Sequence, residues 1–397
     1  MGQRAARVSS AVYCPAVASS PSRLLISCGE PSGDAYGAEL LRHLRAGRPD
    51  LETFGLGGDR LRAEGARLHA HVRDLAVVGL VEVLTHLRHL RRVFNGLVDE
   101  AVRRRPDVAV LVDYPDFNLR LAAALHRRGI PVVYYVSPQL WAWRAGRMRD
   151  VRRHVAHMLV IFPFEEALYR AAGVPVTFVG HPLVDLVRPE GDRAGFVRQI
   201  GLDPARPTLA VLPGSRRKEL AHNLPPLAAA LDLISARRPD VQPVLALADS
   251  LERGPVESAL AGRPVTIVAG RTPAVVSTAS AALVASGTAT VETALLGTPM
   301  VVVYRLSPLS YALGRRFVRV TRFAMVNLIA GRDVVPELIQ ADFTPERVAA
   351  EALALLDDPA RAERMRADLA QVRQALGAPG ASARAAAEVG RFLTGRR

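Results

Sequence analysis

Short runs of consecutive apolar residues alternate along this chain with longer segments in which apolar residues recur every three or four positions. Apolar runs rich in β-branched residues are typical of parallel strands covered on both faces, and the intervening spacing is typical of amphipathic helices. The pattern therefore predicts an α/β fold with doubly wound parallel sheets. The predicted strands are 24–27, 108–112, 131–136, 157–162, 176–179, 208–212, 244–248, 266–269, 281–285 and 299–304. The predicted helices are 35–44, 118–127, one that starts at Phe164, and 218–236.

Prolines and glycine interrupt this alternation between residues 183 and 206, a composition typical of a domain boundary. The predicted organisation is a loose extension over 1–22, a Rossmann-like unit over 23–185, a second over 186–360 and C-terminal helices over 361–397. We favour an extension over a signal peptide because Pro15 interrupts its short apolar stretch. Two such units in tandem place a cleft between the carboxyl ends of two parallel sheets, where ligands bind.

Composition narrows the class of partner without deciding it. The chain has 52 Lys and Arg against 38 Asp and Glu, a net charge of +14, which indicates either solvated helix faces or anionic partners such as phosphates and acidic bilayers. Aromatic residues make up only 5% and no helix-turn-helix is apparent, so we expect no nucleic-acid partner. Cys14 and Cys28 lack zinc spacing and fit a reducing compartment, and no run of about 18 apolar residues could span a bilayer.

Two polar loops follow strands of the first unit. The first reads CGEPSGD, and its glycines permit close backbone approach to a ligand; the alternative is a tight turn in which Ser32 or Asp34 caps the helix. Its candidate binding residues are Gly29, Ser32, Gly33 and Asp34. The second reads DYPDFN, and a carboxylate there can act as a general base. We choose Asp116, with Asp113 as an equal alternative or as a residue that orients it.

A third loop, SPQLWAWR, contains both tryptophans of the chain. Trp141 and Trp143 either stack on a sugar or line an apolar groove, or they fill a core. Arg144, Arg147 and Arg149 suit a phosphate.

Two loops of the second unit predict an anion site without a metal. LPGSRRKE combines a glycine turn, the hydroxyl of Ser215 and the cations Arg216 and Lys218 at a helix N-terminus. ASGTATVE presents backbone and hydroxyl donors, and Glu292 lies where a carboxylate can accept ribose hydroxyls or simply cap the helix. The candidate residues of this second loop are Ser286, Gly287, Thr288, Ala289, Thr290 and Glu292. No Asp-x-Asp metal motif occurs, so we expect no metal and no cofactor, with the cations in their place. Asn327 and Arg332, in NLIAGR, are weaker candidates.

Together, the ordered motifs GEPSGD, VDYPDFN, YYVSPQLWAWR, LPGSR, ASGTATVE and NLIAGR make the chain resemble the lipid-A-disaccharide synthases, inverting glycosyltransferases with the GT-B fold. The resemblance extends from Leu24 to the last helix. Pro31 stands where the family usually has Ala, a tolerable change in a loop.

The resemblance implies an acceptor-binding, catalytic first unit and a second unit that binds a UDP-sugar. It implies transfer from UDP-2,3-diacylglucosamine to the 6-hydroxyl of 2,3-diacylglucosamine 1-phosphate. On this basis Asp116 matches the family's proposed base, Arg216 and Asn327 match positions important for activity, and 286–292 matches the UDP site. It also implies a cytoplasmic enzyme peripheral to the inner membrane, and a family in which dimers can form by exchange of C-terminal segments.

Acylated substrates require an apolar surface close to a bilayer. The segment 77–84, followed by basic residues, is our candidate for that surface, with Val78, Leu80 and Val83 as its contacts; the alternative is a core helix with a solvated face. The rival functions are a UDP-N-acetylglucosamine 2-epimerase, another GT-B transferase with a different acceptor, and a sugar-nucleotide binding module without catalysis.

Overall fold

The computed structural model of the chain describes residues 21–75, 83–140, 145–306 and 322–393. Several predicted contacts with acceptor, lipid or membrane lie outside these ranges: Val78, Leu80, Trp141, Trp143 and Arg144. Val83 is the first residue of a described helix, but its side chain is not described. No described helix is both long enough and apolar enough to cross a bilayer.

The first unit is a parallel sheet of seven strands in the order β3-β2-β1-β4-β5-β6-β7. Its strands are β1 Arg23–Cys28, β2 Glu52–Gly57, β3 Arg67–His71, β4 Val108–Val112, β5 Val132–Tyr135, β6 His157–Val160 and β7 Val176–Phe178. Its helices are α1 Pro31–Gly47, α2 Asp59–Ala63, α3 Val83–Arg104, α4 Pro115–His126, α5 Met148–His154 and α6 Pro163–Ala171. Every residue of β4 is buried, as expected for an apolar strand between two helical layers.

The second unit is a parallel sheet of six strands in the order β10-β9-β8-β11-β12-β13. The helices α7 Leu183–Leu186 and α8 Arg193–Gln199 precede it. Its strands are β8 Thr208–Leu212, β9 Gln242–Leu247, β10 Thr266–Ala269, β11 Ala281–Ala285, β12 Met300–Tyr304 and β13 Glu337–Ile339. Its helices are α9 Arg217–Arg237, α10 Arg253–Ala259, α11 Thr272–Thr278, α12 Thr288–Leu295 and α13 Met325–Ala330, followed by α14 Pro345–Asp357, α15 Pro359–Ala375 and α16 Ala381–Gly390. The predicted α/β class and the helical C-terminal segment are therefore confirmed.

Three strands are absent from the sequence prediction, namely β2, β3 and β13. Strand β2 contains Gly55 at φ 151°, where an added Cβ would lie 1.8 Å from the backbone oxygen of Ile26. A side chain is excluded there by the approach of two backbones, so the strand lacks the apolar pattern. Strand β3 is polar and lies at the sheet edge, and β13 has only three residues.

The chain passes between the two units twice. The first passage follows β7, where His181 N–H donates to Leu376 O (2.9 Å) on the second passage. Gly380 N–H donates to Asp185 Oδ1 (2.6 Å), and Arg384 donates to Val179 O (2.9 Å). Helix α16 then packs against α1 of the first unit. Both passages are thereby joined by hydrogen bonds on one side of the cleft.

Candidate active site

Four of the predicted loops follow the two central strand pairs. In the first sheet β1 lies beside β4, and in the second sheet β8 lies beside β11. Because the chain leaves these adjacent strands toward opposite sides, each pair opens a crevice at its carboxyl end. The loops after β1, β4, β8 and β11 therefore form the candidate site.

The loop after β1 brings Glu30 to the surface of the first unit. A Cβ at Gly29 would lie 2.1 Å from Cγ of Tyr114, so only glycine allows the loop to pass this ring. Glu30 is the N-cap residue of α1 with extended backbone, and its side chain makes no cap. Its carboxylate is consequently available to groups outside its own helix.

Asp34 has a structural role that its position in the motif did not reveal. Its carboxylate accepts the N–H groups of Gly58 (2.6 Å), Arg60 (3.1 Å) and Leu61 (3.2 Å). These are donors at the start of α2, which would otherwise lack acceptors. Asp34 is buried and holds a neighbouring loop, so its contacts do not support the predicted ligand role.

The turn after β4 aims Asp113 into the crevice. Asp113 and Tyr114 both adopt left-handed backbone, with φ 48° and 51°, a conformation uncommon for non-glycine residues that persists only when other contacts impose it. Those contacts are the Asn118 amide and the Tyr134 hydroxyl, which both donate to Asp113 O (2.8 and 2.7 Å). The Ser27 hydroxyl in turn donates to Asn118 Oδ1 (2.7 Å). The carbonyl is thus fixed from two sides.

Asp113 is the carboxylate whose acidity the fold alters most clearly. Burial raises the pKa of Asp113 to about 6, and the negative charge of Glu30 acts in the same direction. A hydrogen bond from the Tyr114 backbone and the charge of Arg216 oppose this rise. A carboxylate with such a pKa changes charge near physiological pH, which is a property of functional groups.

Asp116 lies one turn away in a different environment. It occupies the first turn of α4, its side chain is 64% exposed, and it pairs with Arg147. The two carboxylates of this loop are therefore distinguished by environment: Asp113 is desolvated and close to Glu30, whereas Asp116 is exposed and close to a cation.

Arg216 joins the two units. It follows β8, and its Nη2 donates to Glu30 Oε2 (2.8 Å) of the first unit. Its Nη1 donates to Glu219 Oε1 (2.8 Å) one turn into α9. Burial disfavours its charge, but Glu30 and Glu219 outweigh that effect and raise the pKa of Arg216.

The rest of this loop is arranged around Glu219. Gly214 has φ 123°, and a Cβ there would lie 2.7 Å from Glu219. Ser215 N–H donates to Glu219 Oε2 (3.0 Å). Ser215 and Lys218 are exposed on the same turn, as an anion-binding role requires.

In the loop after β11, some hydrogen-bond donors already have acceptors within the protein, whereas others lie on exposed residues. Gly287, at φ 144°, is the N-cap residue of α12, and the first N–H groups of a helix have no acceptor within it. Gly287 and Thr288 are exposed and Ala289 is half-buried. The Thr290 hydroxyl is not directed outward, because Thr290 is buried and donates to Gly287 O (2.8 Å). Burial raises the pKa of Glu292, which is half-buried in the first turns of the helix.

Two further candidates are engaged elsewhere. Asn327 is 1% exposed. Its oxygen accepts the N–H groups of Val334 (2.8 Å) and Val335 (3.0 Å), while its nitrogen donates to Val335 O and to Glu337 Oε1 (2.7 Å). The Asn327 side chain is therefore engaged by hydrogen bonds within the second unit, where it joins α13 to residues 334–337. Arg332 donates to Asp368 of α15 (2.6 Å) rather than to any of the four loops.

The residues that sequence reasoning missed are mainly carboxylates: Glu30, Glu219 and Glu337. Each lies within or beside one of the sequence motifs, but the sequence does not show which residue it contacts in the folded protein. Within the described ranges, no three His, Cys, Asp or Glu side chains converge as a metal site would require.

Two tandem parallel α/β sheets with their switch points facing one cleft define the GT-B class of glycosyltransferases and related sugar-nucleotide enzymes. Solved structures share this fold. A UDP-GlcNAc 2-epimerase from Neisseria meningitidis bound to UDP-GlcNAc has a TM-score of 0.67 at 14% identity, covering 93% of this chain and 100% of that one. The calicheamicin glycosyltransferase CalG4 has a TM-score of 0.55 at 18% identity, covering 94% and 98%. At these identities the likeness concerns the fold alone.

Sequence relatives are more specific. The family described as lipid-A-disaccharide synthetase matches residues 24–389. A lipid-A-disaccharide synthase of Koribacter versatilis is 51% identical over 359 residues, or 89% of this chain and 93% of that protein. The chain therefore belongs to the lipid-A-disaccharide synthase family. It is a glycosyltransferase of lipid A biosynthesis, and the expectation drawn from its motifs is confirmed.

Proposed function

We propose that this chain transfers 2,3-diacylglucosamine from UDP-2,3-diacylglucosamine to the 6-hydroxyl of 2,3-diacylglucosamine 1-phosphate. The products are a β-1,6-linked disaccharide 1-phosphate and UDP. The observation that carries the proposal is the contact between Arg216 and Glu30, which places a cation of the second unit against the carboxylates of the first. A diphosphate bound at Arg216 then lies beside groups able to accept a proton.

Asp116 serves as the general base of this reaction. It accepts the proton of the acceptor 6-hydroxyl while that oxygen forms a bond to the anomeric carbon of the donor. The bond between that carbon and the UDP oxygen breaks, and UDP leaves with the electron pair. Because attack comes from the face opposite UDP, the configuration inverts. Arg147 holds Asp116 through their ion pair and orients the carboxylate.

Asp113 supplies negative charge near the reacting sugar. The transition state of glycosyl transfer resembles an oxocarbenium ion, and an ionised carboxylate fixed in a partly desolvated crevice stabilises such a charge strongly. With a pKa of about 6, Asp113 is ionised at neutral pH and protonated at mildly acidic pH. The activity should therefore decline as Asp113 gains its proton.

The leaving UDP is stabilised by the second unit without a metal ion. Arg216, Lys218 and the N–H groups of 287–289 bind the diphosphate, on which negative charge grows as the bond breaks. Glu292 accepts the ribose hydroxyls. Removal of one such donor typically lowers the rate by about 10²–10³.

The enzyme acts at the cytoplasmic face of the inner membrane, on which it lies peripherally. Both substrates carry acyl chains, and α3 presents exposed arginines that follow the apolar segment 77–84 in the sequence. The exposed residues there are Arg88, Arg91 and Arg92. Basic side chains near an anionic bilayer contribute about 1 kcal/mol each.

The test compares acylated and soluble substrates in detergent. Purified protein is given UDP-2,3-diacylglucosamine with and without the acylated acceptor, and separately UDP-N-acetylglucosamine alone. UDP release that requires the acylated acceptor supports the proposal. Turnover of soluble UDP-N-acetylglucosamine without acceptor would instead favour the epimerase, which is a relative in fold.

A further inference from the structure

One carboxylate that takes no part in the proposed reaction contacts the segment next to the loop after β11. Glu337 is half-buried in the edge strand β13. Its Oε2 accepts the N–H of Phe323 (2.8 Å). Its Oε1 accepts the N–H of Ala324 (3.0 Å) and the amide of Asn327 (2.7 Å). Three donors thus converge on one side chain.

These contacts fix the backbone that enters α13. Asn327 is buried and saturated by Glu337 and the 334–335 backbone, so its amide has one orientation. Two successive N–H groups, of Phe323 and Ala324, are then held by the two oxygens of Glu337. Hydrogen bonds to an ionised carboxylate are stronger than hydrogen bonds between neutral groups, and two of them together fix the orientation of the backbone. The carbonyl of Phe323 is consequently held in place.

That carbonyl is the link to the nucleotide site. The Ser286 hydroxyl donates to Phe323 O (3.2 Å), while Ser286 N–H donates to Val303 O (2.9 Å) of β12. Ser286 is the residue immediately before Gly287, whose N–H begins the set of donors proposed for the diphosphate. A shift of the Phe323 carbonyl therefore shifts the start of this donor set.

We propose that Glu337 is a positioning residue for the donor diphosphate, acting through Asn327, the Phe323 carbonyl and the Ser286 hydroxyl. This inference rests on the proposed function, because it takes the loop after β11 as the diphosphate site. It gives Asn327, whose position the family resemblance marks as important for activity, the role of supporting Glu337. Displacements of about 1 Å at such a distance from the chemistry lower rates substantially.

Glu337→Gln is the first variant that tests the chain of contacts. Gln has the same shape as Glu, but one acceptor oxygen is replaced by an NH₂ group. This group is a donor, so it cannot accept the hydrogen bond from a backbone N–H. We expect UDP binding, measured by calorimetry, to weaken about tenfold, as for the loss of one hydrogen bond to a charged group. The Michaelis constant for the donor should rise to a similar extent, whereas that for the acceptor should not change. A residue important only for folding would lower Tm without this selectivity.

Two further variants separate positioning from damage to the fold. Glu337→Asp keeps the charge and both acceptor oxygens, so it should fold and show an intermediate loss of UDP affinity. Glu346→Gln removes an exposed carboxylate from the first turn of α14 and is the matched control, with UDP affinity unchanged.

A double-mutant cycle then identifies the route. If Glu337 acts through Ser286, the losses of UDP affinity from Ser286→Ala and from Glu337→Gln should not multiply, because both changes break the same series of contacts. The double variant should then bind UDP about tenfold more weakly than wild type, and not about a hundredfold. Independent, additive losses would overturn the route through Ser286. Wild-type binding of UDP by both Glu337 variants would overturn the inference and leave the proposed function intact. A wild-type chain that does not bind UDP would overturn both.

Discussion

Arg216 Nη2 lies 2.8 Å from Glu30 Oε2, and this ion pair connects the two α/β units across the cleft. The same guanidinium is the cation that the proposed reaction assigns to the diphosphate. If the diphosphate binds Arg216 as proposed, phosphate oxygens would replace the Glu30 carboxylate as the partner of this guanidinium. Under this proposal Glu30 would remain near Asp113 without its cation, and its negative charge would raise the pKa of Asp113 further.

Glu30→Gln should move the acid limb of the pH profile. Glu30 raises the pKa of Asp113 through its charge, second only to burial, so removing that charge lowers the pKa. The decline of kcat/KM on acidification, expected near pH 6 in wild type, should then occur at lower pH by about half a unit or more. The groups that also act on Asp113 are the Tyr114 backbone and Arg216, and both are retained. Glu52→Gln, which removes a surface partner of Arg23, should leave the profile unchanged. An acid limb that does not move in Glu30→Gln would contradict the coupling.

Asp113→Asn should stabilise the protein while it impairs the reaction. The folded-state pKa of about 6 lies above the ordinary value of 3.8, so the folded state favours the protonated form. The stability from this group is fully present below pH 3.8 and is lost as pH rises through 6. Asn cannot ionise, so Tm should exceed that of wild type at pH 8 and approach it at pH 4. Thermal unfolding at the two pH values decides this; a variant that is less stable at pH 8 would contradict burial as the cause.

How much of this site follows from the sequence is clear from particular residues. The strands 108–112, 208–212, 266–269 and 281–285 are found as predicted, because a short, almost wholly apolar run between helical patterns is typical of a buried strand. The loops after 108–112, 208–212 and 281–285 therefore lie at the switch points as expected. The assignments of Asp34 and Asn327 depend on tertiary partners. A carboxylate or amide in a loop looks the same whether it contacts a ligand, a neighbouring helix start or another loop.

The same limit explains the missed strand β2. Its Gly55 is required by the close approach of Ile26, a constraint from a segment about thirty residues earlier. Local propensity reads glycine as a break in a strand. Likewise, the role of Glu30 could not be predicted, because its partner Arg216 is distant in the sequence and lies beside it only in the folded protein.

Asp116→Asn should abolish most turnover without weakening the binding of the sugar donor. A general base contributes about 10²–10⁴ to the rate, and an amide cannot accept the proton. The Kd for UDP should stay within about twofold, since Asp116 lies on the first unit. Asp150→Asn, on the exposed face of α5, provides the control. If Asp116→Asn retained near-normal kcat while Asp113→Asn lost it, the base would be Asp113.

Charge reversal at the start of α3 should weaken membrane binding. Arg91→Glu with Arg92→Glu changes two exposed residues, and at about 1 kcal/mol per basic side chain the loss of affinity for vesicles containing anionic lipid should exceed about tenfold. Arg364→Glu with Arg366→Glu, on α15, carries the same change of charge on the second unit and should bind as wild type. Flotation of the protein with vesicles measures both. Equal losses in the two variants would indicate a dependence on net charge rather than a defined membrane face.

In the proposed reaction one sugar is transferred with inversion to an acylated acceptor. The most direct measurement quantifies UDP and disaccharide 1-phosphate in one reaction that contains detergent and EDTA, and determines the new linkage by NMR. We expect equal amounts of the two products and a β-1,6 linkage, with activity that persists in EDTA. UDP without disaccharide, an epimerised sugar or an α linkage would contradict the proposed reaction, and loss of activity in EDTA alone would contradict the metal-free account of the diphosphate site.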